Sequence, residues 1–176
     1  MQPLLVNSHS HRGGAAVATR RLHEGFIDSG IDSKLLVQRG QAEEKSVLGP
    51  ESRIEKWMGK IQYKANYLPL WRYYLLEDNP RLFSPSLMSG DLKDNIERLS
   101  PDILHLHWIT GFILPETISE VDIPIVWTLH DMWPFTGGCH YAGGCQRFQD
   151  TCGSCPVLKS SVENDRSRSL WERKHA

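Results

Sequence analysis

The chain has 176 residues, 40% of them hydrophobic and 23% charged, with a formal net charge of −1. That length suits one domain with a real core, and the near-neutral balance supplies no general field for nucleic acid, so duplex binding has no support. No apolar run reaches the roughly 18 residues that span a bilayer, and the start, MQPLLVNSHSH, lacks the basic and long apolar regions of a signal peptide, which makes the cytoplasm the expected compartment.

Leu4, Leu5 and Val6 predict a short buried strand that ends in the polar turn Asn7-Ser8-His9-Ser10-His11-Arg12. Gly13-Gly14 opens a helix running to about Ser29, with Ala18, Leu22 and Phe26 at four-residue spacing, and Gly30 stops it. Ser33 to Val37 reads as a second strand, which completes a βαβ unit with parallel strands. Gln38 to Pro50 is polar and loop-like. From Ser52 a helical pattern places Ile54, Trp57, Met58, Ile61, Ala65 and Leu68 on one face, with Arg53, Lys56, Lys60 and Lys64 on its flank. Pro69 interrupts it, and an aromatic apolar stretch continues from Leu70 to Leu76. After a loop from Asn79 to Pro85, Asp91 to Leu99 predicts a short helix. Ile103 to Trp108 predicts another strand, followed by Gly111 and a helix from about Pro115 to Val121. Pro124 to Leu129 predicts the last strand, with Ile125, Val126, Trp127 and Thr128 reading as buried. Strands alternating with helices imply an α/β fold with a doubly wound, Rossmann-like parallel sheet over residues 1–176.

In such a sheet the strand ends at 7–14, at 105–111 and at His130-Asp131 project from one edge, where open α/β sheets bind ligands. Gly13 and Gly14 expose N–H groups at a helix N-terminus, a place suited to an anion such as phosphate. A glycine pair alone is a weak signal, and a tight strand-to-helix turn is its plainer reading. His105 and His107 alternate with leucines and so share a face; His105 reads as structural, and His107 lies nearer the rim. His130 ends a strand, can donate a proton or a hydrogen bond at neutral pH, and is followed by Asp131, which could orient it or cap the next turn. Cys139, Cys145, Cys152 and Cys155 follow at C-x5-C-x6-C-x2-C spacing, with His140 beside the first. The terminal C-x2-C pair suits a structural zinc, although the longer gaps are not those of a common zinc ribbon; disulfides and free thiols are the alternatives. The basic helix from Arg53 is either a solvated flank beside a core-facing stripe or, with residues up to 76, a peripheral contact with an anionic membrane.

VNSHSHRGGAAVATRRLHEGF, PDILHLHWITG and PIVWTLHDMWPFTGGCHYAGGC…CGSCP together resemble the amino-terminal half of family 4 glycosyltransferases, above all bacterial exopolysaccharide enzymes of the colanic-acid type. The resemblance spans most of residues 1–158 and is weakest between Gln41 and Ser89. It implies a GT-B enzyme: two Rossmann-like domains facing a cleft, transfer with retention at the anomeric carbon, and no required metal. It further implies that this half holds a glycan or lipid-linked acceptor. The Gly13-Gly14 turn would lie near the diphosphate of a nucleotide-sugar donor and His130 would face the transferred sugar, with His107, Trp108 and Gly111 on the same substrate-binding edge. The nucleotide-holding half, with its E-x7-E carboxylates, is expected outside residues 1–176, so the isolated chain is expected to be inactive. Glu43 and Glu51 have that spacing by coincidence, in a polar loop of the wrong half. His9 and His11 stand where less basic residues are expected.

Two other readings compete. A metal-dependent hydrolase could use His9, His11 and His130 to activate water, against which stand the glycine turn straight after H-x-H and a length too short for a (β/α)8 barrel. A non-catalytic binding module anchored by the cysteine loop is the third.

Overall fold

The computed structural model describes residues 1–40, 42, 44–50, 52–74, 83–88, 90 and 92–176. Glu43, Glu51, Leu75-Leu76, the loop residues 79–82 and the first residue of the helix expected from Asp91 lie outside the described residues.

Five strands, β1 (Pro3–His9), β2 (Lys34–Arg39), β3 (Val47–Leu48), β4 (Ile103–Leu106) and β5 (Ile125–Trp127), form one sheet in the order β3-β2-β1-β4-β5. Every pairing is parallel, with Leu5 opposite both Leu35 and His105, and Leu104 opposite both Leu4 and Ile125. β1 lies at the centre, which explains its run of apolar residues: Leu4, Leu5 and Val6 are fully buried because both faces of the sheet are covered. On one face Leu5, Leu35, Val37 and Val47 pack with Leu22 and Phe26 of α1 (Gly14–Asp28). On the other, Leu4, Val6, Leu36, Leu104 and Leu106 pack with Leu92, Ile96 and Leu99 of α4 (Leu92–Leu99), with Ile118 of α5 (Pro115–Ser119), and with Ile109, Phe112 and Trp133. The doubly wound Rossmann-like architecture expected from the sequence is the architecture present.

Several details differ from the expectation. β3 is an added edge strand, only two residues long inside a polar segment, too short to leave a period. Ala18 is exposed; the buried residues of α1 are Ala16, Thr19 and His23. The His23 ring is held between the hydroxyls of Ser33 and Ser46 at 2.9 and 3.1 Å. Gly30 ends α1 as expected, at φ +77°, with Ile31 N–H returning to the Phe26 carbonyl.

α2 (Arg53–Tyr67) starts at a capping box formed by Ser52 and Glu55. Its apolar stripe does not face the core. Ile54, Trp57, Met58 and Ile61 are 44–70% exposed, and Leu68 and Trp71 just beyond are 68% and 58% exposed. The inward face is Gly59, Gln62, Tyr63 and Asn66, and polar bonds hold it. Asn66 is fully buried; its amide reaches the Gln62 and Gly111 carbonyls while its Oδ1 accepts from Leu87 and Met88 N–H. Four backbone groups satisfied by one side chain stabilise the docking without an apolar stripe. After α2 a 3-10 turn over Leu68–Leu70 leads into α3 (Trp71–Tyr74).

β5 also departs from expectation. Ile125 and Val126 are 37% and 43% exposed, because β5 is the edge strand and its outer flank is uncovered. The chain closes with α6 (Arg166–His175), capped by Asp165, whose carboxylate accepts from Ser167 and Arg168 N–H and from Cys155 N–H. Arg173 of α6 grips Glu116 of α5 through two hydrogen bonds and donates to the Ser86 carbonyl at 3.0 Å.

Candidate functional site

β1 and β2 wind one way from the centre of the sheet, and β4 and β5 the other, so the topological switch point lies between β1 and β4 at their carboxyl ends. The segments after these strands are stitched together there. Ser8 N–H bonds the Trp108 carbonyl at 2.7 Å, Trp108 N–H bonds Asn7 Oδ1 at 3.1 Å, and Ser8 Oγ–H bonds the Thr110 carbonyl. Gly13, at φ +96°, ends the turn and caps α1 with no side-chain bond to the first-turn N–H groups. A Cβ at Gly13 or Gly14 would meet nothing within 4 Å, so this helix end is open to a ligand. Its neighbourhood is cationic: burial first, then Arg39 and Arg12, push the His9 imidazole down to about 4. His11 packs on the Arg20 guanidinium, 3.1 Å from its Nε2.

His105 of β4, His107 just after it and His130 beyond the end of β5 form a row. His105 Nε2 bonds the Thr128 hydroxyl at 2.8 Å, the His105 and His107 rings lie 4.4 Å apart, and His107 Nδ1 lies 3.0 Å from His130 Nε2. His107 is 4% exposed, deeper than its place near the strand end suggests. Burial holds all three imidazoles below their ordinary range, His107 at about 3. His130 is half-buried at the open side of the row.

Asp131 does not orient His130 by a hydrogen bond. Its Oδ2 takes a bond from His140 Nδ1 at 2.5 Å, and its Oδ1 accepts from Trp133 N–H at 2.8 Å. The chain continues from His140 Nε2 to Ser84 Oγ at 2.8 Å and to Tyr67 Oη at 3.1 Å. An Asp–His–Ser order has the layout of a nucleophile triad, yet Ser84 is 2% exposed and is shared with Tyr67, whose hydroxyl burial pushes up to about 12. This row is internal scaffolding. Trp108 stacks on His140 with centroids 4.7 Å apart, and Trp133, fully buried, donates its indole N–H to the Ser84 carbonyl.

The four cysteines are free and together line one small cavity of about 20 Å3. Burial pushes the thiols of Cys139, Cys152 and Cys155 up, Cys155 to about 11. Among the described residues no group of three or more His, Cys, Asp or Glu is arranged to hold a metal. The zinc expected at Cys139, Cys145, Cys152 and Cys155 thus has no support in their arrangement, and the proposed hydrolase set of His9, His11 and His130 gains none. The loop is held from outside instead. The Lys174 ammonium lies 3.5 Å over the Trp133 ring and donates to the Trp133 and Thr136 carbonyls, and burial lowers it to about 7.

Residues 12–151, well over half of the chain, match the family described as Glycosyltransferase Family 4. The chain belongs to glycosyltransferase family 4. It is also 28% identical over 184 aligned positions to WcaC of Escherichia coli (strain K12), described as a colanic acid biosynthesis glycosyl transferase. That alignment covers 97% of this chain and 44% of the relative, so the chain spans less than half of the relative's length. No solved structure matches.

Within this family 4 domain the fold brings the Gly13-Gly14 turn, the β4 end and His130 to one edge, as the strand-end argument requires. Gly111 is drawn into the scaffold, its carbonyl accepting from Gln38 and Asn66 and its N–H facing Ser86 Oγ. Sequence reasoning missed His140, Lys174, Asp165 and Asn66 as organisers; only the nearness of His140 to Cys139 was visible. A second, larger cavity of about 460 Å3 lies between β2, α2 and α4, with Gln38, Met58, Ile61, Arg98 and Phe112 in its wall.

Proposed function

We propose that the chain is the acceptor-side half of a GT-B enzyme that moves a sugar from a nucleotide-sugar donor to a glycan or lipid-linked acceptor in exopolysaccharide synthesis. The observation that carries this reading is the meeting of an open, uncapped helix N-terminus and the His107–His130 pair on the switch-point edge of a family 4 domain. Transfer breaks the bond between the anomeric carbon and a diphosphate oxygen and forms one to an acceptor hydroxyl oxygen. The hydroxyl proton departs and a nucleoside diphosphate leaves. The catalytic demand is stabilisation of charge on that leaving group and on the sugar. The N–H groups after Gly13 and Gly14, with Arg12 and Arg39 close to His9, suit the diphosphate. His130 suits the transferred sugar, with Trp108 beside it on the acceptor edge. A second half supplies the nucleotide site and its carboxylates.

The acceptor side favours a membrane surface. Four cations, Arg53, Lys56, Lys60 and Lys64, flank the exposed Ile54, Trp57, Met58 and Ile61 on α2. A basic, amphipathic helix with its apolar stripe already outside fits an anionic bilayer interface, such as the inner face of the plasma membrane, better than a core. Among the described residues no helix is long and apolar enough to cross a membrane, and the contact proposed for α2 is a peripheral one.

Calorimetry with a panel of UDP- and GDP-sugars, followed by transfer assays with and without an added carboxyl-terminal half, tests the proposal. Transfer only in the presence of both halves is the expected result. Turnover by residues 1–176 alone, or no transfer from the reunited halves with any donor, would contradict it.

A further inference from the structure

A hydrogen bond joins two imidazoles at the ends of β4 and β5, with Nδ1 of His107 and Nε2 of His130 3.0 Å apart. Each neutral ring carries one proton on one of its two nitrogens, and burial keeps both rings neutral at pH 7. Two proton arrangements satisfy the bond. In one, His107 gives Nδ1–H to His130 Nε2, its own Nε2 is a bare lone pair, and the His130 proton resides on Nδ1. In the other, His130 gives Nε2–H, and His107 must carry its proton on Nε2.

The surroundings of His107 choose between them. Its Nε2 is buried without a hydrogen-bond partner among the described residues, and the residue is only 4% exposed. Orphaned buried N–H groups are rarer than under-satisfied acceptors, so the bare lone pair is favoured. The ring cannot turn freely to find a partner. It lies tilted against the His105 ring, centroids 4.4 Å apart, that ring being tied to Thr128, and its backbone carbonyl takes the Trp127 indole N–H at 3.2 Å.

We propose that His107 is a positioning residue that fixes His130 as the Nδ1–H tautomer, turning a hydrogen-bond donor toward a ligand oxygen at the switch-point edge. His130 Nδ1 has no protein partner among the described residues, and the side chain is half-buried at the open side of the row. A donor in that place takes a sugar hydroxyl or phosphate oxygen and turns away a cation. The ligand half of this inference rests on the family 4 reading of His130; the tautomer half does not.

Long-range 1H–15N correlation spectra of the imidazoles in the 176-residue chain at pH 7 test it directly. The expected result is a proton on Nδ1 of both His107 and His130. His107→Asn keeps an N–H donor near the place of Nδ1 and should preserve the His130 tautomer, whereas His107→Leu should shift it toward Nε2–H. In the reunited halves the affinity for a UDP- or GDP-sugar should fall by about fivefold or more in His107→Leu and be largely retained in His107→Asn. A proton on Nε2 of His130 in the unaltered protein overturns the inference, whether or not either variant folds. So does an unchanged His130 tautomer in a folded His107→Leu protein. The expected tautomer with nucleotide-sugar affinity of the reunited halves unchanged in His130→Ala upholds the role of His107 and counts against the sugar-facing reading of His130.

Discussion

Oδ2 of Asp131 lies 2.5 Å from Nδ1 of His140, nine residues onward, and neither oxygen of that carboxylate bonds the ring of its sequence neighbour His130. The His130-Asp131 pair, which reads as one catalytic unit in the sequence, is split between two jobs: one side chain bonds His107 and the other ties the loop to the core.

That division predicts opposite phenotypes. Asp131→Ala leaves His140 Nδ1–H and Trp133 N–H without their buried acceptor, at a cost of about 2–4 kcal/mol. Urea denaturation of the variant should show it, while His130→Ala, which takes one acceptor from His107 at a half-buried place that water can fill, should cost only about 1 kcal/mol. Equal stability losses in the two variants would contradict the split.

In the reunited enzyme, His130→Ala should lower turnover at least about tenfold with the fold intact, since one polar contact made in the transition state is worth about 1.4 kcal/mol or more. Steady-state rates together with circular dichroism check this; near-normal turnover removes His130 from the site.

Stability should decline in mild acid. Burial holds His9, His23, His105, His107 and His130 below the ordinary imidazole value of 6.5, with His9 at about 4 and His107 at about 3. Below that ordinary value the unfolded chain takes up protons that the folded chain refuses. The folded state is therefore favoured fully above pH 6.5 and loses ground as pH falls toward 4 and then 3. For His107 the slope approaches about 1.4 kcal/mol per pH unit. Denaturation midpoints measured at pH 7.5, 6 and 5 should fall in that order, and a flat series would contradict the burial of the row.

Thiol chemistry should be graded. Cys145 is partly exposed, whereas Cys139, Cys152 and Cys155 are buried and their thiolates disfavoured. Timed iodoacetamide labelling at pH 7.5, read by mass spectrometry, should modify Cys145 first and Cys155 last, with rates separated by about tenfold or more. Uniform labelling would show that the loop opens faster than it reacts, and chelator-dependent labelling would reveal a metal on the thiols.

Vesicle binding tests α2. The protein should co-sediment with anionic phosphatidylglycerol vesicles and not with neutral ones. Trp57→Glu should weaken that binding by about tenfold, because it removes an inserted aromatic and adds a repelled charge. Binding unaffected by Trp57→Glu or by vesicle charge would contradict the proposed orientation.

The sheet was legible because its central strands carry unmistakable signals: Leu4-Leu5-Val6 is a buried run, Leu104 and Leu106 are buried in alternation with Ile103 and His105, and Gly13, Gly14 and Gly30 punctuate α1. What escaped was set by long-range partners. The stripe from Ile54 to Ile61 has the period of a core face, but periodicity cannot say which side the rest of the protein occupies, and Asn66 won the inside by satisfying four backbone groups. Ile125 and Val126 look buried by composition, while their exposure follows from strand order. At the sheet edge, the strand-end rule put His107 and His130 together, and their rings are hydrogen-bonded. No local pattern could link Asp131 with Ser84 through His140, because those bonds join residues up to 56 positions apart.

Among the described residues no strand pairs with the outer side of β5, which lies beside exposed Ile125, Val126 and Leu129 and has no charged side chain between Ile125 and Leu129. An unguarded edge of that kind is a template for another strand. Its present protection is modest: Pro124, which cannot donate, and a length of three residues. Any strand that extends the sheet here would also cover the flank of Trp127, whose indole steadies the His107 carbonyl. The border strand and the histidine row thus share one residue, Trp127, and a strand added at this border would lie beside the bond that joins them.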